Sequence, residues 1–334
     1  MAETRLANAQ IDLEVFNAYT VEPSIYRSRF YQSGAMVVNN QMSSMLAGNG
    51  ESFSFPYWKD VAGTTGDVPV EGTDQTVNNL TSDKQIFRKQ VRTKAWGSND
   101  LVPVFSGSDP IDAVQGMVMN YWAQAFDQLA IKSIIGVLAD NAANDSGDLI
   151  NDISAETASA AYFSDDAVID AQGLLGENGV VGVNDTRDFA AILVHPKTYS
   201  YMRKLDLIDY EPVSGQTRPL GTYMSMDVIV DRNAPLDTAD YSSILLKPGA
   251  LQYGISGSGY IPTELDRNPL DGFGVDQLIT RRAFGIHPVG FKAVEAGFAG
   301  ATPTDAELIL AAAWDRAFNA ENCPFVSVRH KLPS

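Results

Sequence analysis

The stretch Asp109–Asp140, DPIDAVQGMVMNYWAQAFDQLAIKSIIGVLAD, reads as one uninterrupted amphipathic helix. Asp109 suits the N-cap, where a short side-chain acceptor satisfies a free backbone N–H. Pro110 suits the first helical position, where its missing N–H is not needed. Apolar side chains then recur at helical spacing through Ile111, Val114, Val118, Tyr121, Trp122, Leu129, Ile134 and Leu138. Such a helix is on the order of 45 Å long, against an average globular helix of roughly 11–12 residues. Taken alone, it suits either a long core helix of an ordinary enzyme or the spine of an assembling subunit.

What precedes the rod favours the spine. Residues 1–50 mix Arg27, Arg29, Phe30 and Tyr31 with the Met/Ser/Asn-rich segment Met36–Met45, and have too little apolar periodicity to fold alone; they read as an arm. Residues 51–101 read as an extended β-hairpin loop. Phe53, Phe55 and Tyr57 alternate in its first strand beside Trp58, and Lys84–Trp96 returns. The polar, turn-rich tip Gly63–Asn79 lies between them. A two-stranded hairpin is marginal alone, so its aromatics Phe53, Phe55, Tyr57 and Trp58 are candidates for burial by a neighbouring subunit. The basic stretch Lys84, Arg88, Lys89, Arg92 and Lys94 is a candidate for contact with acidic surface on that neighbour.

Beyond the rod comes an acidic linker, then alternating elements of an α+β or mixed α/β domain. Ser164 caps a helix through Leu175, Phe189–Val194 is a buried strand and Pro196–Leu207 a second helix. Met226–Val230 and Ser243–Leu246 are short strands, with turns at Asn233–Pro235 and Lys247–Gly249. Leu278–Lys292 is extended again. Thr304–Phe318 reads as a short helix before a strand-like tail.

The chain has 334 residues, 45% of them hydrophobic, which is ample for buried cores. Its net charge of −17, from 41 acidic against 24 basic side chains, argues against a general nucleic-acid binder. Acidic residues gather in Asp140, Asp145, Asp148, Asp152, Glu156, Asp165, Asp166 and Asp170, apart from the basic stretch. That segregation permits complementary contacts between copies, although each cluster also suits a solvated face. Cys323 is the lone cysteine, so no intramolecular disulfide forms and a reducing cytoplasm fits. Met1–Asn17 lacks the basic-then-apolar order of a signal peptide, and no apolar run approaches the roughly 18 residues of a membrane span.

Chemistry-bearing motifs are sparse. His195, His287 and His330 stand in separate elements, without metal-ligand spacing, so structural roles and no metal are expected. Gly254–Gly259, GISGSG, matches no nucleotide loop and reads as a flexible turn. Asn144–Asp148 resembles a calcium loop but lacks its phase and its closing glutamate. No carboxylate pair stands out as an acid and base. No catalytic residue and no cofactor are expected.

Four segments carry a family resemblance: ILVHPKTYSYMRK from Ile192, MDVIVDRNAP from Met226, ILLKPGALQYG from Ile244, and LITRRAFGIHPVGFK from Leu278. AWGSNDLVPVFSGSDP, from Ala95, leads into the rod. In this order and spacing they resemble the major capsid proteins of tailed bacteriophages, with the Hong Kong 97-like fold. The resemblance spans nearly the whole chain. It implies an N-terminal arm (1–50), an extended loop (51–101), a peripheral domain (102–149 and 265–300) with the spine helix 109–140, an axial domain (150–264), and a C-terminal helix and tail (301–334). It further implies hexamers and pentamers of the chain itself, with portal, separate scaffolding and possible decoration proteins as partners. Packaged double-stranded DNA would be touched only weakly and non-specifically, with no membrane involved. The protein would reside in the virion after assembly in the host cytoplasm. The short arm departs from the founding pattern and leaves little room for a fused scaffold, so no N-terminal maturation cleavage is expected. An encapsulin-type nanocompartment shell is the same-fold alternative, and an intracellular enzyme with an unrecognised acidic site the alternative of another class.

Overall fold

The computed structural model describes residues 30–59, 68, 71–72, 74, 79–106, 110–176, 189–209, 212–213, 216–217, 221–237, 240–256 and 259–333. Most of the expected arm, most of the tip 63–79 and the expected cap Asp109 lie outside them. In chain order the elements are α1 (Phe30–Ser33), β1 (Met36–Val38), α2 (Asn40–Leu46), β2 (Ser52–Trp58), β3 (Ser82–Asn99), α3 (Leu101–Ser106), α4 (Pro110–Asn144), β4 (Ile150–Asp152) and α5 (Asp165–Gly173). There follow β5 (Ala191–Val194), α6 (Pro196–Lys204), β6 (Pro212–Val213), β7 (Gln216–Thr217), β8 (Thr222–Tyr223), β9 (Met226–Val230), β10 (Leu236–Asp237), β11 (Asp240–Leu246) and β12 (Leu251–Ser256). Last come β13 (Thr263–Asn268), β14 (Val275–Pro288), β15 (Phe291–Ala293), α7 (Asp305–Leu308), β16 (Trp314–Arg316) and β17 (Phe325–His330).

The rod is α4, 35 residues long and about 52 Å at the α-helical rise. It runs four residues beyond the expected end. Asn144 Nδ2 donates to Asp140 Oδ1 at 2.6 Å, and Ser146 (φ 60°) and Gly147 (φ 72°) then break the helix in the left-handed region. Its stripe of Trp122, Phe126, Leu129, Ile134 and Leu138 is buried in the main core. Gly136 is a necessity there: a Cβ would lie 2.0 Å from the Leu308 carbonyl oxygen and 2.4 Å from Trp314 Nε1. The helix lies flush against the C-terminal segment at that point.

Two sheets flank this core. The first has six strands in the order β1-β12-β14-β3-β2, with β13 also on β14. Within it β3 serves two partners in series: Ser82–Arg88 pairs with β2, and Lys89–Asn99 pairs with β14. The second has seven strands in the order β4-β17-β11-β5-β9-β8, with β10 on β11. The crossover from β5 through α6 to the parallel β9 is a βαβ unit, and all four residues of β5 are buried, as a strand covered on both faces requires. Sheet membership crosses the segment boundaries drawn from sequence. β12, from the segment 150–264, pairs in the first sheet, whereas the tail strand β17 sits between β4 and β11 in the second.

Three local expectations are corrected. The span Thr304–Phe318 holds only one α-helical turn, α7, and a 3-10 turn at Ala311–Ala313. Thr304 and Glu307 form the capping box, but Trp314 Nε1 donates to Leu308 O at 2.8 Å and turns the chain back into β16, which pairs with β15. Gly254, Ile255 and Ser256 are strand, not flexible turn. A Cβ at Gly254 would meet Ser43 N at 2.8 Å, so the bare residue lets α2 press against β12. The helix after His195 ends at Lys204, because Asp206 takes φ 57°. Ser164 caps α5 as its sequence signals, its side chain accepting from Ala167 N.

Candidate assembly surface

The hairpin of β2 and β3 is built on a core of its own. Alternation along β2 sends Phe53 and Phe55 to one face, where each stacks on Phe87 of β3 at 5.3 Å between ring centroids. Met42 and Leu46 of α2 close this cluster and are fully buried. His287 lies beside it, 6.3 Å from the rings of Phe55 and of Phe87. Its Nε2 faces Gln85 Oε1 at 2.7 Å, and Gly290 N donates to the same oxygen at 3.1 Å. An atom that takes a backbone N–H is an acceptor, so Nε2 of His287 carries the proton. Nδ1 is then a buried lone pair without a partner, and burial pushes the imidazole down to about 4.

Two of the four candidate aromatics, Phe53 and Phe55, therefore pack within the chain. Tyr57 does so too: its hydroxyl donates to Ala317 O at 2.6 Å, and its ring meets Phe318 edge-on at 5.0 Å. Burial, with Asp83 nearby, raises the Tyr57 hydroxyl above its ordinary range. Trp58 is different. It is 67% exposed and borders a groove of about 500 Å3 lined also by Tyr57, Lys59, Thr81, Phe318 and Asn319. The expectation that the hairpin lacks an intramolecular core is thus corrected, because Phe87 and α2 supply one.

The basic stretch does not form one free surface. Lys84, Arg88, Arg92 and Lys94 alternate along β3, and the segment 298–305 crosses the middle of that row. Arg88 is buried, donating to Gly300 O at 2.8 Å and to Glu51 Oε2 at 3.3 Å, with its guanidinium 5.1 Å from the Phe298 ring centroid. Arg92 reaches Asp305 at 2.8 Å, where Lys132 of α4 also binds at 2.7 Å. Burial raises the Asp305 carboxyl, but the hydrogen bonds from Lys132 and Arg92 outweigh it and hold the group below the usual carboxylate range. Lys89 donates to Gly48 O at 3.3 Å. Lys84 and Lys94 are exposed. Arg88 and Arg92 thus both bind partners within the chain. The signal was missed because their partners lie about 210 residues away in sequence.

A polar relay ties the hairpin to the rod: Trp122 Nε1 donates to Thr280 Oγ1, which donates to Lys94 O, each at 3.1 Å. At the far end of β14 the β13–β14 hairpin presents Leu270 and Phe273, both largely exposed, on a turn fixed by Arg267, which pairs with Asp100 and Asp276. The sequence reading did not single this tip out, although PLDGFG between two alternating runs is a hairpin signal.

Three further groups with chemical potential, Ser243, His330 and Cys323, are buried. Ser243 Oγ lies 3.0 Å from His330 Nε2, but both residues are inaccessible and Tyr241 stacks on the ring. Burial pushes His330 down to about 4 and the Cys323 thiol up to about 12. In the run 144–148, Asp145 and Asp148 bind Arg316, at 3.4 and 2.6 Å. Among the described residues no three His, Cys, Asp or Glu side chains converge to hold a metal ion, and no helix is long and apolar enough to cross a membrane.

Comparison with known proteins gives a consistent placement. No family model matches the chain. The major capsid protein of Bacillus phage SPP1 is 31% identical over 342 residues, covering 99% of each chain. Among solved structures, the capsid of Ralstonia phage GP4 superposes with a TM-score of 0.62 at 12% identity, covering 100% of this chain and 99% of that one. The capsid of cyanophage Pam1 gives 0.55 at 13% identity, with 99% of each chain covered. A capsid fold assembled around a long spine helix, and an end-to-end relative above the level at which common descent is secure, lead to one conclusion: the chain belongs to the major capsid proteins of tailed bacteriophages, with the Hong Kong 97-like α+β fold.

Proposed function

We propose that copies of this chain assemble, as hexamers and pentamers, into the icosahedral head shell of a tailed phage and enclose its double-stranded DNA. The observation that carries the reading is the 31% identity to the phage SPP1 major capsid protein over 99% of both chains. Trp58, Lys84 and Lys94 contact neighbouring subunits directly, while Phe53, Phe55, Tyr57, Arg88 and Arg92 fix the hairpin's direction so that those contacts are in register. Segments 102–149 and 265–300 act as the peripheral domain and 150–264 as the axial domain, completed by β17. The role is architectural, without enzymatic turnover. Portal, separate scaffolding and decoration proteins are the further partners. A net charge of −17 keeps contact with the genome weak and non-specific. Assembly takes place in the bacterial cytoplasm.

Expression of the chain, alone and with its scaffolding protein, followed by negative-stain microscopy and light scattering, tests this reading. Closed shells are expected, and deletion of the tip 63–79 should leave folded protomers that do not close. Small discrete oligomers in both expressions would overturn the proposal.

A further inference from the structure

The second sheet carries two exposed helices of equal length and opposite charge. On α5 and its C-cap Leu174, Asp166, Ile169, Asp170 and Leu174 recur at the three- and four-residue spacing of one helix face, and all four are exposed, Ile169 at 51% and Leu174 at 40%. On α6, Lys197, Ser200 and Lys204 hold the same spacing, with Arg203 beside them and Leu205, 45% exposed, at the end. None of Asp166, Asp170, Lys197, Arg203 and Lys204 forms an ion pair with a described residue, whereas Asp165, next to Asp166, accepts from the Tyr223 hydroxyl at 2.7 Å. Helix dipoles favour acids at the first turn and bases at the last, which accounts for Asp166, Arg203 and Lys204. They do not account for Asp170 in the second turn or for Lys197 in the first turn of α6, where a cation is disfavoured. Each stripe thus extends past what its own helix asks for, and each pairs charges with an exposed apolar residue, the make-up of an interface with a polar rim.

We infer that the acidic stripe of α5 on one copy docks on the basic stripe of α6 on the next copy. Two different surfaces of one chain then meet, so the contact is heterologous and repeats from copy to copy, closing into a ring when the rotation allows. Opposite potentials on the two stripes set the register and disfavour like-to-like pairing, in which acids would face acids and bases face bases. The inference rests on the shell reading above and names the surfaces by which its rings are held.

The test uses the full chain in three forms: D166K with D170K, K197E with R203E and K204E, and all five changes together. Circular dichroism should show native folding in each, since the altered side chains are exposed and without ion pairs to described residues. Each stripe reversed alone puts like charges opposite one another and should lower the yield of sedimenting shells by about tenfold or more. The five-fold variant restores opposite charges and should recover assembly. Normal shells from either single-stripe variant, or natively folded five-fold protein that fails to assemble, would overturn the pairing while leaving the shell reading intact. Failure of the unaltered chain to form shells would take down both.

Discussion

Gln85 and His287 share a proton in one direction only: the carboxamide oxygen also receives the Gly290 N–H, so the imidazole donates from Nε2 and leaves Nδ1 bare inside the protein. An acid-sensitive joint follows where the hairpin meets the first sheet. In the unfolded chain His287 takes a proton near its ordinary 6.5, but in the folded chain only near 4. Above about pH 6.5 the group leaves stability unchanged; as pH falls from 6.5 towards 4 the unfolded state binds the proton first and stability drops, by on the order of 3 kcal/mol at most. His330 acts in the same direction. Protomer melting temperature measured from pH 7 to pH 4 should fall less steeply in H287Q than in the unaltered chain. Equal slopes would show that His287 binds its proton at the same pH in the folded and the unfolded chain.

Gly136 and Gly173 should respond oppositely to alanine. At Gly136 the new methyl meets the backbone oxygen of Leu308 and the Trp314 ring, so G136A should cost about 1–3 kcal/mol or more in urea unfolding. At Gly173, in the last turn of α5, nothing lies within 4 Å, and alanine should be neutral or add up to about 1 kcal/mol. A G136A chain as stable as the parent would contradict the close approach of α4 to the C-terminal segment.

Phe87 carries the base of the hairpin. F87A removes the ring on which both Phe53 and Phe55 stack and should cost about 3–5 kcal/mol, with faster hydrogen exchange along Ser52–Trp58. W58A should leave protomer stability within about 0.5 kcal/mol, as expected for an exposed side chain, and appear only in assembly.

Arg88 and Lys94 separate fold from surface. R88E places an acid beside Glu51 and beneath the carbonyls of Gly300 and Ala301, so the protomer itself should melt at markedly lower temperature. K94E, at an exposed position, should melt like the parent. Equal melting of R88E and the parent would show that the guanidinium is not held as described.

Local signals made much of this architecture legible. The rod α4 is visible because burying one stripe over so many turns writes its period directly into the sequence, and the cap Ser164 stands out because a free N–H needs a nearby oxygen. The hairpin strands could likewise be read from their alternation. Distant partners were not legible. Phe87 looks like any strand aromatic until α2 lies on it, Arg88 looks like a solvated cation until 298–301 crosses it, and β17 looks like a tail until it fills the gap between β4 and β11. Phe53 and Phe55 read as aromatics that need cover, but sequence cannot say whether the cover comes from the same chain.

The continuity of β3 has a mechanical consequence. A strand that leaves β2 at Arg88 and joins β14 at Lys89 carries any pull on the hairpin along its own axis into the body. Antiparallel neighbours drawn along their length resist in shear, so the eleven residue pairs between β3 and β14 bear the load together instead of parting one after another from an end. Tension arriving at the tip is therefore spread over the whole length of the seam before it reaches the rod.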